Sequence, residues 1–176
     1  MVLTTAVIVL AVLVLLDLLL SVAIVRRLRD HEAQLADALP STEPGLRTGT
    51  PMPDFTSADG SLTRTDVLGT PVLLGFFSTG CRFCPAQAEQ LAHRVAELTA
   101  RSIRVVNVLT VTDETVADDL TPVLEKSGTV VTEHGPGGLM ATFSISGTPS
   151  FLLFDGEGTL LGKGHSVDEP LERWIP

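Results

Sequence analysis

Pro71-Val72-Leu73-Leu74-Gly75-Phe76-Phe77-Ser78-Thr79-Gly80-Cys81-Arg82-Phe83-Cys84-Pro85 is the stretch that decides how this chain folds. Residues 71–77 are an unbroken apolar run, as in a strand buried on both faces. Ser78, Thr79 and Gly80 end it, and two cysteines follow at once. Beyond them, Pro85 to Arg101 carries apolar residues at Ala88, Leu91, Ala92, Val95 and Leu98, a helical spacing with Pro at an early helical position. The cysteines therefore sit where a buried strand gives way to a helix. A helix N-terminus and the neighbouring Arg82 both favour a thiolate on Cys81, and the thiolate is the nucleophile of disulfide exchange. Cys84 is spaced to reach back and resolve a mixed disulfide. Taken alone, the pair also fits two structural thiols or half of a metal site shared between chains.

Upstream, Asp54 to Leu62 reads as a small hairpin around Ala58-Asp59-Gly60. Arg104 to Thr110 is a second buried strand, and Asp113 to Ser127 a helix capped by Asp113, stopped by Gly128 and split or kinked by Pro122. A short extended piece at 129–131, a small helix over 139–143, strands at 150–154 and 159–162 around Asp155-Gly156-Glu157-Gly158, and a helix over 167–174 complete the pattern. Trp174 is expected to pack that last helix on the sheet. Strands alternating with helices, then a terminal hairpin, predict an α/β sandwich with a mixed parallel and antiparallel sheet. Gly147-Thr148-Pro149 stands directly before the strand at 150, and its X-Pro bond is a candidate cis peptide that would present the Thr148 backbone to the sulfurs.

The chain has 176 residues, with 12 Lys and Arg against 21 Asp and Glu and a formal net charge of −9. No basic patch appears in the globular part, so nucleic acid is a poor partner. Cys81 and Cys84 are the only two cysteines, which excludes a disulfide framework or a four-cysteine zinc site within one copy. Residues 2–25 are almost wholly Val, Leu, Ile and Ala, about 36 Å of helix and enough to cross a bilayer. With no Lys or Arg before the run and Arg26-Arg27 after it, a retained anchor is expected over a cleaved leader. Asp17 lies within the run and Ser21 one turn on, a polar strip suited to another membrane helix. The expected organisation is a transmembrane anchor (1–25), a helical stalk (26–39) patterned by Leu28, Leu35 and Leu39, a Pro/Gly/Thr-rich tether (40–51) and a folded domain (52–176).

The strand-CxxC-helix start, the Gly147-Thr148-Pro149-Ser150-Phe151-Leu152 run and the Asp155–Gly158 hairpin together resemble membrane-anchored thioredoxin-like proteins over roughly residues 50–176. The anchored thiol-disulfide reductases of cytochrome c maturation and the methylamine-dehydrogenase accessory proteins are similar in their span, charged stalk, Pro-rich tether and a start such as Pro53-Asp54-Phe55. The resemblance implies a thioredoxin-like three-layer sandwich with a mixed central sheet, preceded by one N-terminal transmembrane helix. It implies Cys81 as attacking thiol, Cys84 as resolving thiol, Pro149 as the cis-proline and Thr148 in touch with the substrate, with Arg82 and Phe83 beside it. It further implies protein thiol or disulfide substrates, reductant or isomerase action, no cofactor beyond the redox-active disulfide, and an integral membrane electron donor as a candidate partner. The family works outside the cytoplasm, where disulfides persist. Arg26, Arg27 and Arg29 favour the opposite side by the positive-inside rule, and the extracytoplasmic side is the expectation kept.

Three departures from the family pattern matter. Gly80 replaces the aromatic residue usual before the first cysteine, Gly75 replaces a buried acid six residues before it, and Phe83 and Pro85 make the motif more apolar than the common Gly-Pro pair. Glu133 is the acid considered as a substitute. Thioredoxin-like copper chaperones use two cysteines and a distant His, and soft thiolates select Cu(I). Their cysteines are spaced by three residues rather than two. His31, His93, His134 and His165 are the imidazoles here, and His93 is expected to face away from Cys84. A peroxiredoxin would carry Ser or Thr three residues before its cysteine, as Ser78 does, and Pro seven before, where Leu74 stands. A tethered interaction domain would leave the coincidence of Cys81, Cys84 and Pro149 without a cause. Asp113, Glu114, Asp118 and Asp119 read as a solvated helix face.

Overall fold

The computed structural model of the chain describes residues 10, 45–112, 119–135, 137–172 and 174. The chain divides into two compact units, Met1–Glu43 and Pro44–Pro176, and the second holds all that follows. Apart from Leu10, the expected span, stalk and residues 40–44, with Asp17, Ser21, the three arginines and His31, lie outside the described residues, as do 113–118. Among the described residues no helix is long and apolar enough to cross a membrane.

The apolar run is strand β1 (Val72–Ser78), buried along its whole length because it is central. It pairs in parallel with β2 (Arg104–Val111) and antiparallel with β4 (Ser150–Phe154). β3 (Thr129–His134) adds to β2 in parallel and β5 (Leu160–Gly164) to β4 antiparallel, giving a five-stranded sheet in the order β3-β2-β1-β4-β5. Alternation along the strands then sorts the core into two layers. Val72, Leu74 and Phe76 join Val106, Val108, Val131, Leu152 and Phe154 on one face. Helices α1 (Arg64–Val67) and α4 (Gly138–Thr142) cover that face through Val67 and Leu139. Leu73 and Phe77 join Val105, Leu109, Phe151 and Leu153 on the other. There the cover is α2 (Cys84–Ala100), α3 (Thr121–Leu124) and α5 (Asp168–Glu172). The mixed sheet and the three layers are those the sequence predicts.

On the first face the centre is aromatic. Phe143, just beyond α4, packs its ring against Phe55, Phe76 and Phe154 at centroid distances of 5.3, 5.6 and 6.1 Å. On the other, α2 buries Cys84, Ala88, Leu91 and Leu98, a stripe at helical spacing. Trp174 packs against the same cluster with the Arg101 guanidinium 5.7 Å from its ring.

Three expectations are corrected. Of the helix expected over 113–127, the described part holds only the turn α3, because Pro122, lacking an N–H, opens a helix rather than continuing one. Gly128 then packs so closely on the Val105 carbonyl that no side chain fits, and the chain turns straight into β3. β3 in turn has six residues and not three: Glu133 takes an inward position, which hides the alternation from a hydrophobicity pattern. The expected N-terminal hairpin is reduced to one bridge, Thr56 with Thr63, leading into α1.

Candidate active site

β1 ends at Ser78 and α2 begins at Cys84, so the five residues between turn sharply over the C-terminal end of the sheet. Backbone bonds fix the turn, with Cys81 N–H donating to Ser78 O at 3.1 Å and Cys84 N–H to Cys81 O at 3.2 Å. Cys81 and Cys84 are joined as a disulfide with their Cα atoms 5.4 Å apart. The two sulfurs differ in access: Cys84 is wholly buried beneath α2, whereas Cys81 is half-buried at the rim. Arg82 and Phe83 project outward between them. The Arg82 guanidinium stands 4.5 Å from the Phe83 ring centre, and the ring keeps 58% of its surface exposed.

The Thr148–Pro149 bond is cis, as the sequence suggests, and Thr148 O lies 3.2 Å from Cys81 Sγ. The spacing is one at which the reduced thiol donates to the carbonyl. All six residues singled out from the sequence, Cys81, Arg82, Phe83, Cys84, Thr148 and Pro149, thus come together. Two hollows flank the disulfide. One, about 340 Å³, is lined by Ser78, Gly80, Cys81, Arg82, Thr112 and Thr148. It is open because Gly80 has no side chain, and a Cβ there would already stand 3.1 Å from Thr112 Oγ1. The other, about 440 Å³, lies between Phe83, Ala86 and Gln87 on one wall and Thr148, Pro149 and His165 on the other.

His165 is the residue that sequence reasoning missed. Its Nδ1 lies 2.9 Å from Pro149 O and 3.4 Å from Ser150 Oγ. The signal was present in the β4–β5 hairpin: pairing Phe151 with Gly164 sets residue 165 across from 149 and 150. His93 is exposed on α2, facing away as expected, and His134 is exposed at the end of β3. Among the described residues no three or more His, Cys, Asp or Glu are grouped to hold a metal.

The position of the missing acid is occupied otherwise. Gly75 faces α2, and a Cβ on it would lie 2.8 Å from Phe77 Cε2 and 3.1 Å from Asn107 Oδ1. Asn107 is fully buried and donates from Nδ2 to Leu124 O at 3.1 Å and Ser127 Oγ at 2.9 Å, while its Oδ1 has no partner among the described residues. Glu133 does not substitute. It shares the inward face of β3 with Val131, on the side of the sheet opposite Cys84, and its Oε2 accepts the Leu139 N–H at 2.8 Å.

Residues 48–133 match the model of the AhpC/TSA family. No protein of curated function matches the chain. Solved structures do. A putative thiol:disulfide interchange protein DsbE from Chlorobium tepidum is 24% identical, with 73% of this chain and 91% of that one covered at a TM-score of 0.55. A secreted disulfide oxidoreductase of Mycobacterium tuberculosis, homologous to E. coli DsbE, is 20% identical over 65% of this chain and 84% of that one, at 0.52. The thioredoxin domain of a thiol-disulfide oxidoreductase from Bacteroides vulgatus is 21% identical over 72% and 94%, at 0.53. The fold of residues 44–176 is thioredoxin-like.

Proposed function

We propose that the chain is a thiol-disulfide oxidoreductase acting on protein disulfides, tethered to a membrane by residues 1–25 and held off it by the stalk and tether. One observation carries the chemistry: a rim sulfur and a buried sulfur joined in a disulfide, with the Thr148 carbonyl facing the rim sulfur. In the reduced protein the Cys81 thiolate attacks one sulfur of a substrate disulfide, and the other substrate sulfur leaves as a thiolate and takes a proton. Cys84 then attacks Cys81 Sγ, which restores the internal disulfide and releases the second substrate thiol. Two electrons and two protons pass from the pair to the substrate, and a dithiol donor returns them. The α2 N-terminus stabilises the thiolate of the first step. Burial of Cys84 keeps outside reagents off the resolving sulfur.

Thr148 offers the substrate backbone a hydrogen-bonding partner, and Arg82 and Phe83 offer a flank beside it. We place the domain on the extracytoplasmic side, as reductant or isomerase in the maturation of a secreted or membrane-bound redox protein. The family resemblance and the persistence of disulfides there support this placement. An integral membrane protein is the proposed electron donor, with Asp17 and Ser21 as its contact strip.

Peroxide reduction at Cys81 is the second reading, supported by the AhpC/TSA match and by Ser78 three residues before Cys81. Equilibrating the purified full chain in dithiothreitol redox buffers, with copper assayed in parallel, tests the first reading. A potential near or below about −250 mV supports a reductase, and one near about −120 mV makes the protein an oxidant. Consumption of hydrogen peroxide without exchange onto a peptide disulfide transfers the assignment to the second reading, and tight copper with no internal disulfide transfers it to a metallochaperone.

A further inference from the structure

The exchange chemistry leaves His165 without a role, yet its ring is built into the loop that faces the sulfurs. Pro149 O can only accept a hydrogen bond, so at 2.9 Å the partner Nδ1 must carry the proton. Ser150 Oγ, the other oxygen near Nδ1, donates to Gly147 O at 2.6 Å. Residues 147–150 are therefore closed on themselves by Ser150 and fastened to the end of β5 by His165. At the other side of the same short loop, Thr148 O stands 3.2 Å from Cys81 Sγ. The imidazolium also bears an Nδ1–H, so the fastening holds whether the ring is neutral or charged. The ring is exposed, and its removal opens no core cavity.

We propose that His165 is a positioning residue of the exchange site: its Nδ1–H, donated to the Pro149 carbonyl, holds the Thr148 backbone where an extended peptide segment of a substrate docks beside Cys81. The inference rests on the oxidoreductase reading above. It separates two kinds of reagent. A peptide disulfide meets both the sulfurs and the Thr148 backbone, whereas a small dithiol meets the sulfurs alone.

The test uses the full chain and its His165→Asn, His165→Gln and His165→Phe variants. Asn places an amide N–H close to where Nδ1–H stands, Gln places it one atom further out, and Phe keeps the ring without a donor. Two rates are measured: reduction of a synthetic disulfide-bridged peptide by the reduced protein, and reduction of the oxidised protein by dithiothreitol. Peptide exchange is expected to slow roughly tenfold in the Gln and Phe variants and to stay within about twofold of wild type in the Asn variant, the scale of one hydrogen bond. The dithiothreitol rate should stay within about twofold throughout. A peptide rate unchanged in the Phe variant overturns the proposal. So does an Asn variant as slow as the Phe variant, or a parallel loss with both reagents accompanied by a lower melting temperature. Wild-type protein inert toward the peptide would instead defeat the exchange reading, and this inference with it.

Discussion

Replacing Gly75 with Ala tests whether the space behind the disulfide is as full as it looks. A methyl group at 75 would stand 2.8 Å from Phe77 Cε2, well inside van der Waals contact. The Phe77 ring has little room to retreat, because it is fully buried and packed edge-on against Phe151 with centroids 5.6 Å apart. Overpacking of this kind costs about 1–3 kcal/mol. Against it, Ala in a strand recovers about 0.5–1 kcal/mol of the conformational entropy that Gly loses on folding. The clash wins, leaving a net loss of about 1–1.5 kcal/mol. For a chain of this size that lowers Tm by about 3–5 °C. Thermal unfolding of the oxidised protein followed by circular dichroism, with a urea titration to check that m is unchanged, measures it. An unchanged or higher Tm would refute the reasoning, since it would mean that the ring moves aside at no cost and only the entropy gain is felt.

Truncating Phe143 to Ala removes the ring shared by Phe55, Phe76 and Phe154 and should cost about 3–5 kcal/mol by urea unfolding. A Cys84→Ser protein should accumulate a mixed disulfide between Cys81 and a peptide substrate, visible as a mass adduct, whereas Cys81→Ser should form none; adducts in equal yield from both would contradict the assignment of roles. The Asp59 carboxyl is held down to about 2 by the Ser57 hydroxyl and the Ser61 N–H and hydroxyl. Because its folded-state value lies below the ordinary carboxylate value of 3.8, its contribution is present above about pH 4 and lost as pH falls toward 2. The Tm difference between wild type and Asp59→Asn should therefore be present at pH 5 and vanish near pH 2; a difference that grows on acidification would reverse the sign.

The centre of the molecule was legible because its residues agree at every level. Val72 to Phe77 is apolar throughout and central in the sheet, and Ala88, Leu91 and Leu98 mark the buried stripe of α2. The cysteine pair and Thr148-Pro149 carry their chemistry in their residue types, so they could be paired before any contact was known. What escaped was whatever depends on a neighbour distant in sequence. Glu133 is a charged residue on an inward face because it caps the Leu139 N–H, and nothing local announces that. Asn107 is a polar residue in the middle of a buried strand because α3 and Ser127 supply its acceptors. His165 became visible only once the β4–β5 register set it against Pro149. Pro122 was legible as a breaker, but whether it kinks a helix or begins one depends on its neighbours in space.

The segment leading into the domain runs along the outer edge of β5, where Gly49 N–H donates to Leu160 O, Leu160 N–H to Thr50 O and Met52 N–H to Gly158 O. Gly49, Thr50 and Met52, with the Pro51–Thr159 bridge, thus clasp the start of β5 as a short antiparallel pair. The same contacts occupy both backbone groups of Leu160, the first residue of β5. Thr159 and Leu160 mark the beginning of β5, and His165 follows its end. The clasp and the sulfurs thus stand at opposite ends of the sheet, since Leu160 pairs with Phe154 and Phe154 with Val72 at the start of β1, while Cys81 lies beyond the end of that strand.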